Sequence, residues 1–301
     1  MSARAALLVV HTGRRPAVTA GRELAERLAA VGLTVRILEP EADALSCDAA
    51  QVVDTGPAAA EGVELVVAVG GDGTLLRAAE LARPAGAALL GVNLGHVGFL
   101  AEAERTDLES MVERILSSSY DVEERMTLDV CVRRGDDVVA RDWAVNDVSV
   151  EKAARQRMVD LMVEVDGRPL SRWSGDGIVC ATPTGSTAYA FSAGGPVVWP
   201  SVEAILVVPI SAHALFARPL VVAPSSRVAI ELPSDSAGAI AFCDGRRTID
   251  LAVHDRLEIS CGSEPVRLVR LSGSGFTDRL VSKFHLPVRG WRGRTEDDTS
   301  G

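Results

Sequence analysis

The stretch LVVAVGGDGTLLRAAE, residues 65–80, decides the fold. It opens with five apolar residues in an unbroken run, the profile of a strand buried on both faces. Gly70, Gly71, Asp72 and Gly73 follow, and helical spacing begins at once, from Thr74 to Ala82. Strand, glycine turn and helix make the start of a βα unit, and open parallel sheets bind ligands at the carboxyl ends of their strands. Glycines let backbone N–H groups approach phosphate oxygens. The helix N-terminus adds partial positive charge for an anion. Gly70, Gly71, Gly73 and Thr74 therefore form a candidate phosphate loop. Asp72 does not suit a pure phosphate cradle, because a bare carboxylate repels phosphate. Either Asp72 or Thr74 caps the helix, or Asp72 accepts a hydroxyl proton or holds a divalent cation. The pattern is neither a Walker loop nor G-x-G-x-x-G.

Outward from this unit the same alternation repeats. Residues 5–10 are a short apolar run, followed by a polar loop, HTGRRPA, carrying Arg14 and Arg15. TAGRELAERLAAVG has helical spacing at Leu24, Leu28 and Val31, with Gly32 as its stop. Strands are expected at 34–38 and 87–92, and a loop or weak helix in the acidic, Ala-rich 41–62. Strands alternating with helices predict a parallel α/β sheet. After the helical TDLESMVERILSS the pattern changes, and β-branched residues dominate from Tyr120 onward. Asp166-Gly167 and Asp244-Gly245 read as hairpin turns. The expected division is an α/β domain at 1–122 and a β-rich domain at 123–275. An amphipathic helix near 276–290 packs back on the first domain, and 291–301 is a flexible tail.

Bulk properties bound the partners. The chain has 301 residues, 47% of them hydrophobic, enough for two cores. A net charge of −10 argues against a broad nucleic-acid face, though not against a small basic phosphate pocket. Five scattered cysteines with no C-x-x-C pair suit a reducing, cytoplasmic setting without a disulfide framework or zinc site. No apolar run approaches a membrane span.

Three further stretches bear on the site. GVNLGHVGFLAE, residues 91–102, is a second glycine-rich loop at the same sheet edge. AVNDVSVEK puts Asn146 and Asp147 in a β-rich segment, where they either form a simple turn or read a ribose diol or an adenine edge. SGDGIVCATPTGSTAYAFSAGGPVV, residues 174–198, gathers Thr182, Thr184, Ser186, Thr187, Tyr189 and Ser192 among small residues. Such a wall hydrogen-bonds a sugar-bearing ligand, and Tyr189 offers a face for a base. A long segment of this kind is more often functional than a plain Ω-loop.

Taken in this order, GGDGTLLRAAE, NLGHVGFLAE, NDVSVEK, DGIVCATPTGSTAYAFSAGGPV, HALFARPLVV and CDGRR resemble the NAD kinases over nearly the whole chain. AHALF and FTDRLVSKFHLPVRGWRG look like the actinobacterial branch. GGDGT alone is shared with phosphofructokinase and lipid-kinase relatives. The resemblance implies a Rossmann-like α/β domain of the phosphofructokinase/diacylglycerol-kinase type and a β-rich domain, with NAD in the crevice between them. It also implies a homo-oligomer, dimer or tetramer.

By the same resemblance, Asp72 contacts the adenosine ribose and is the presumed base, and Gly73 lines that site. Asn146 and Asp147 touch the dinucleotide, and Asp176 lies near its nicotinamide end. Thr187, Ala188, Tyr189, Ala190, Phe191 and Ser192 surround adenine and ribose. Arg77, Arg157 and Arg246 approach dinucleotide or phosphate. Three positions depart from the family: Asp147 stands where glutamate is usual, Arg246 where glutamine is common, and Ser174 where a basic residue is frequent.

The implied reaction moves the γ-phosphoryl of ATP, or of polyphosphate, to the 2′-hydroxyl of the adenosine ribose of NAD. Mg²⁺ or another divalent cation would come with the nucleotide, since no protein metal cage is visible. The rival readings are a lipid kinase sharing GGDGT and a catalytically silent NAD(H) sensor. The first lacks a membrane-binding stretch, and the second would not need Asp72.

Overall fold

The computed structural model describes residues 4–93, 98–100, 103–104, 108–154, 156–236, 238–271 and 275–288. The expected tail at 291–301 and part of the second glycine-rich loop lie outside these residues. The chain divides into two compact units, one running to Glu123 and resuming at Arg267, the other Glu124–Val266.

The first unit is built on an eight-stranded sheet. Its strands are β1 (Ala5–Val10), β2 (Thr34–Leu38), β3 (Gln51–Val53), β4 (Leu65–Val69), β5 (Ala88–Asn93), β6 (Ala103–Glu104), β7 (Asp121–Arg125) and a returning strand, Val266–Arg270. The order is β3-β2-β1-β4-β5-returning strand-β7, with β6 beside β5. β1, β4 and β5 are continuous apolar runs because helices cover both faces. All the pairings among β1–β5 are parallel. From β1 the chain moves one way to β2 and β3, then crosses to β4 on the other side. The ends of β1 and β4 therefore flank a topological switch point, where such sheets bind ligands.

Helices α1 (Arg15–Ala30), α2 (Glu39–Leu45), α3 (Asp72–Ala82) and α4 (Leu108–Leu116) complete this part. α1 begins within the stretch expected as a loop. Pro16 stands in its first turn, where a missing N–H costs nothing. Val31 is not on its buried stripe: it is 44% exposed and sits just past the last turn. α2 covers only the start of the 41–62 stretch expected as loop or weak helix, with Glu41 buried in it; β3 (Gln51–Val53) is a strand inside that stretch, paired with β2, that the expectation did not include. The last helix, Phe276–Phe284, starts at the expected position, ends short of the expected 290 and belongs to this unit. The returning strand was not foreseen: the expected limit at 275 lies beyond it.

The second unit is two six-stranded antiparallel sheets. In chain order its strands are β8 (Leu128–Arg134), β9 (Asp137–Ala144), β10 (Asp147–Lys152), β11 (Val159–Val165), β12 (Arg168–Gly175) and β13 (Gly177–Ala181), then β14 (Ile205–Ile210), β15 (Leu220–Val222), β16 (Val228–Glu231), β17 (Ala239–Cys243), β18 (Arg247–Leu251) and β19 (Asp255–Cys261). One sheet runs β15-β14-β13-β10-β17-β18 and the other β12-β11-β16-β19-β8-β9. Alternate residues of both sheets, among them Val130, Val148, Val150, Leu161, Trp173, Ile230 and Leu257, share one core. Both Asp-Gly turns are where the sequence put them. Asp166 and Gly167 have φ of 53° and 73°, and Asp244 and Gly245 of 53° and 63°, the positive values these hairpins require. All five cysteines are free thiols. No helix among the described residues is long and apolar enough to cross a membrane.

Candidate active site

In the first unit, β4 is followed at once by Gly70, whose N–H donates to the carbonyl of Val92 at 3.0 Å. A Cβ on Gly70 would land on the Thr74 hydroxyl and 3.1 Å from His11 Cβ, so only glycine fits where the turn doubles back. Gly71 is the N-cap of α3, and its carbonyl accepts from Thr74 N at 2.9 Å and Leu75 N at 3.2 Å. No side chain caps this helix. That removes the capping explanation for both Asp72 and Thr74. Asp72 occupies the first helical turn, with Oδ1 buried and without a hydrogen-bond partner. Burial raises its pKa, and the ammonium of Lys283 with the backbone N–H groups of Leu100 and Phe99 opposes that rise. Gly98 presses on the same carboxylate, where a side chain would collide with Oδ1.

Arg77 is one turn further along α3. Its guanidinium donates to the carbonyl of Val10 at 2.8 Å and to Glu41 Oε1 at 2.5 Å. The other Glu41 oxygen accepts the N–H of Val10 at 2.8 Å. Arg77 thus neutralises a buried carboxylate and ties α3 to β1 and α2.

In the second unit, Asn146 and Asp147 are fixed from two sides. The Asp244 carboxylate accepts the N–H groups of Val145 at 3.0 Å and Asn146 at 2.6 Å, and pairs with Arg247. On the other side, Thr182 Oγ1 donates to the carbonyl of Val145 at 2.6 Å, and Thr182 N to that of Asn146 at 2.9 Å. Gly185 lies against the Asn146 backbone so closely that a Cβ would overlap its carbonyl. The TPTGST run is therefore a clamp on the Asn-Asp pair.

Beside this clamp is a cavity of about 380 Å³ lined by Asn146, Asp147, Ser149, Glu151, Ala188, Tyr189, Phe242, Asp244 and Gly245. Period-2 alternation along β10 turns Asp147, Ser149 and Glu151 to the cavity and Val148 and Val150 to the core. Ser149 Oγ donates to Glu151 at 2.7 Å. Three carboxylates meet here, and the Asp147 carboxyl is pushed up to about 7, by burial first and then by Asp244. The lining offers acceptors and two aromatic side chains, Tyr189 and Phe242, and no lysine or arginine. Such a surface suits the hydroxyls and base of a nucleoside better than its phosphates.

The N-terminal domain model of the ATP-NAD kinases matches residues 6–120, and the C-terminal domain model matches 145–271. The chain is 56% identical to the NAD kinase of Thermobifida fusca over 99% of its own length and 94% of that protein. The chain belongs to the ATP-NAD kinase family. Among solved structures, an Archaeoglobus fulgidus NAD kinase in complex with ATP is 27% identical, with a TM-score of 0.71 over 94% of this chain and 98% of that one. A yeast NADH kinase complexed with NADH shares the fold, with a TM-score of 0.87 at 22% identity over 97% of this chain and 90% of that one.

Against the family's pattern, Asn146, Asp147, Ala188 and Tyr189 line one cavity. Thr187 turns its hydroxyl to the carbonyl of Thr184 at 3.3 Å, and Ala190 packs with Val179, Ala181, Leu206 and Val208. Phe191, Ser192, Arg157, Arg246 and Gly73 are exposed. Asp176 is ion-paired with Lys152, whose hydrogen bond holds its carboxyl below the usual range. Sequence reasoning passed over Ser149, Glu151, Phe242 and the anchoring role of Asp244. The alternation of NDVSVE was the available signal for the first two. Nothing local signals that Asp244 will hold amides about a hundred positions away.

Proposed function

We propose that the protein transfers the γ-phosphoryl of ATP to the 2′-hydroxyl of the adenosine ribose of NAD, giving NADP. The observation that carries this reading is the full-length family match, together with a carboxylate in the glycine loop that serves no cap. Neither a lipid kinase nor a silent sensor accounts for both. Phosphoryl transfer passes through a loose transition state, so positioning and charge neutralisation dominate. Asp72 accepts the ribose proton late, as the new O–P bond forms. The burial that raises its pKa makes it a stronger base than a solvated aspartate. The loop of Gly70, Gly71, Gly73 and Thr74 presents a helix N-terminus to the donor's phosphates, with the N–H groups of Gly70 and Thr74 already given to the carbonyls of Val92 and Gly71.

In the second unit, Asn146, Asp147 and the 187–192 segment take the adenosine, with the Tyr189 ring against the base. Asp147 reaches one methylene less far than the family's glutamate. Asp176 accepts a hydrogen bond at the nicotinamide end. Arg157 and Arg246 are exposed cations within reach of phosphate, while Arg77 acts through Glu41.

Mg²⁺ or another divalent cation accompanies the donor. The buried Oδ1 of Asp72, which has no hydrogen-bond partner, is the protein oxygen that would meet a cation held mainly by nucleotide phosphates. Bound there, the cation would neutralise donor charge. Polyphosphate is the alternative donor, the setting is cytoplasmic, and the assembly is a dimer or tetramer. The test is incubation with NAD, ATP and Mg²⁺, with NADP read by an NADP-specific dehydrogenase. NADP above the blank supports the reading. Folded protein that binds NAD and forms none points to a sensor.

A further inference from the structure

The charged groups that line the cavity beside β10 are all carboxylates: Asp147, Glu151 and Asp244. Asp244 is engaged inside the protein. Its carboxylate accepts the N–H groups of Val145 and Asn146 and pairs with Arg247. Glu151 is held differently. Period-2 alternation turns it to the cavity beside Asp147 and Ser149. Its Oε1 accepts the Ser149 hydroxyl at 2.7 Å, which fixes the carboxylate without cancelling its charge. The neighbouring cations are placed elsewhere. Lys152, next along the chain, is ion-paired with Asp176. Arg246, beside Gly245, is exposed and outside the lining.

To such a wall, a ribose 2′-hydroxyl and a ribose 2′-phosphate are opposite ligands. The hydroxyl donates a hydrogen bond to a carboxylate. Phosphoryl transfer replaces its O–H bond by an O–P bond, and the new group is an acceptor carrying about −1.5 to −2 at neutral pH. It offers the carboxylates little to accept, and their charge repels it. We propose that Glu151 is a specificity-determining residue that separates substrate from product: its carboxylate admits the 2′-hydroxyl of NAD and disfavours the 2′-phosphate of NADP, so that the product leaves once formed. The proposal rests on the reading of this cavity as the adenosine site.

The experiment is calorimetric titration of the parent, Glu151→Gln and Glu151→Asp with NAD and with NADP, each protein beside a melting curve. It is run at pH 8, above the Asp147 value of about 7, so that Asp147 is ionised in all three. Glu151 is partly exposed, so its variants should fold. Glutamine keeps the length and an acceptor oxygen for Ser149 but loses the charge. Aspartate keeps the charge. The parent should bind NADP at least about tenfold more weakly than NAD. In Glu151→Gln that gap should narrow by about three- to tenfold, mainly through tighter NADP, and Glu151→Asp should keep most of it. Equal affinity of the parent for the two dinucleotides would overturn the proposal. So would an unchanged gap in Glu151→Gln, or an equal narrowing in Glu151→Asp. The adenosine reading fails separately, if Tyr189→Ala binds NAD as tightly as the parent does.

Discussion

Asp147→Asn should stabilise the second unit at neutral and alkaline pH, and by an amount that the cavity sets. The Asp147 carboxyl is buried and moves from the ordinary 3.8 to about 7, because burial, Asp244 and Glu151 all disfavour its charge. The folded protein thus holds this proton more tightly than the unfolded chain does. The stability so gained is fully present below about pH 4 and is lost as pH rises through about 7. A shift of about three units, at about 1.4 kcal/mol each, makes the loss about 4 kcal/mol at most. Asparagine keeps the shape and can still accept the N–H of Tyr189, but it carries no charge at any pH. The variant and the parent should therefore match in acid and diverge steadily above it, the variant being more stable by a few kcal/mol at pH 8. Denaturant unfolding followed by tryptophan fluorescence reads this, because Trp143, Trp173 and Trp199 all lie in this unit. Parallel stability–pH curves for the two proteins would refute the argument.

Tyr189→Ala removes one of the cavity's two aromatic rings and should weaken NAD binding by about 1–3 kcal/mol, about five- to a hundredfold in Kd by calorimetry. Unchanged affinity would take Tyr189 out of the site. Gly185→Ala should lower the melting temperature, at a cost of about 1–3 kcal/mol or more. It should weaken NAD binding as well, since the new Cβ displaces the Asn146 backbone. Arg77→Met leaves Glu41 buried and unpaired, with 2% of its side chain exposed. It should cost about 3 kcal/mol of stability, and the double variant with Glu41→Leu should recover most of it. Failure of the double variant to recover would mean that Arg77 serves something other than Glu41.

Four of the eight strands of the first sheet, β1, β2, β4 and β5, were legible, the central ones because a strand buried on both faces has little choice but an unbroken apolar run, as in Leu65–Val69. The two hairpins were legible because a two-residue turn needs positive φ, which Asp-Gly supplies. What escaped was what distance along the chain hides. Val266–Arg270 reads as one more strand of a β-rich stretch, and only its pairing partner, β5, shows that the chain has returned to the first sheet. Glu41 made α2 look polar and weak, because no periodicity rule expects a buried acid whose partner lies 36 positions away. At the site, Asp72 stood out in the sequence, but whether it capped its helix needed the backbone at Gly71. Glu151 and Ser149 were within reach of the alternation argument, once Asp147 was placed on a strand.

The central claim is that Asp72 takes the ribose proton. Single-turnover NADP formation by Asp72→Asn, at saturating NAD, ATP and Mg²⁺ and beside a melting curve, tests it most directly. Asparagine keeps the shape and loses the charge, and general-base assistance is typically worth about 10²–10⁴-fold. The account predicts a rate reduced by about that factor, with folding and NAD affinity nearly intact. NADP formation at the wild-type rate would contradict it.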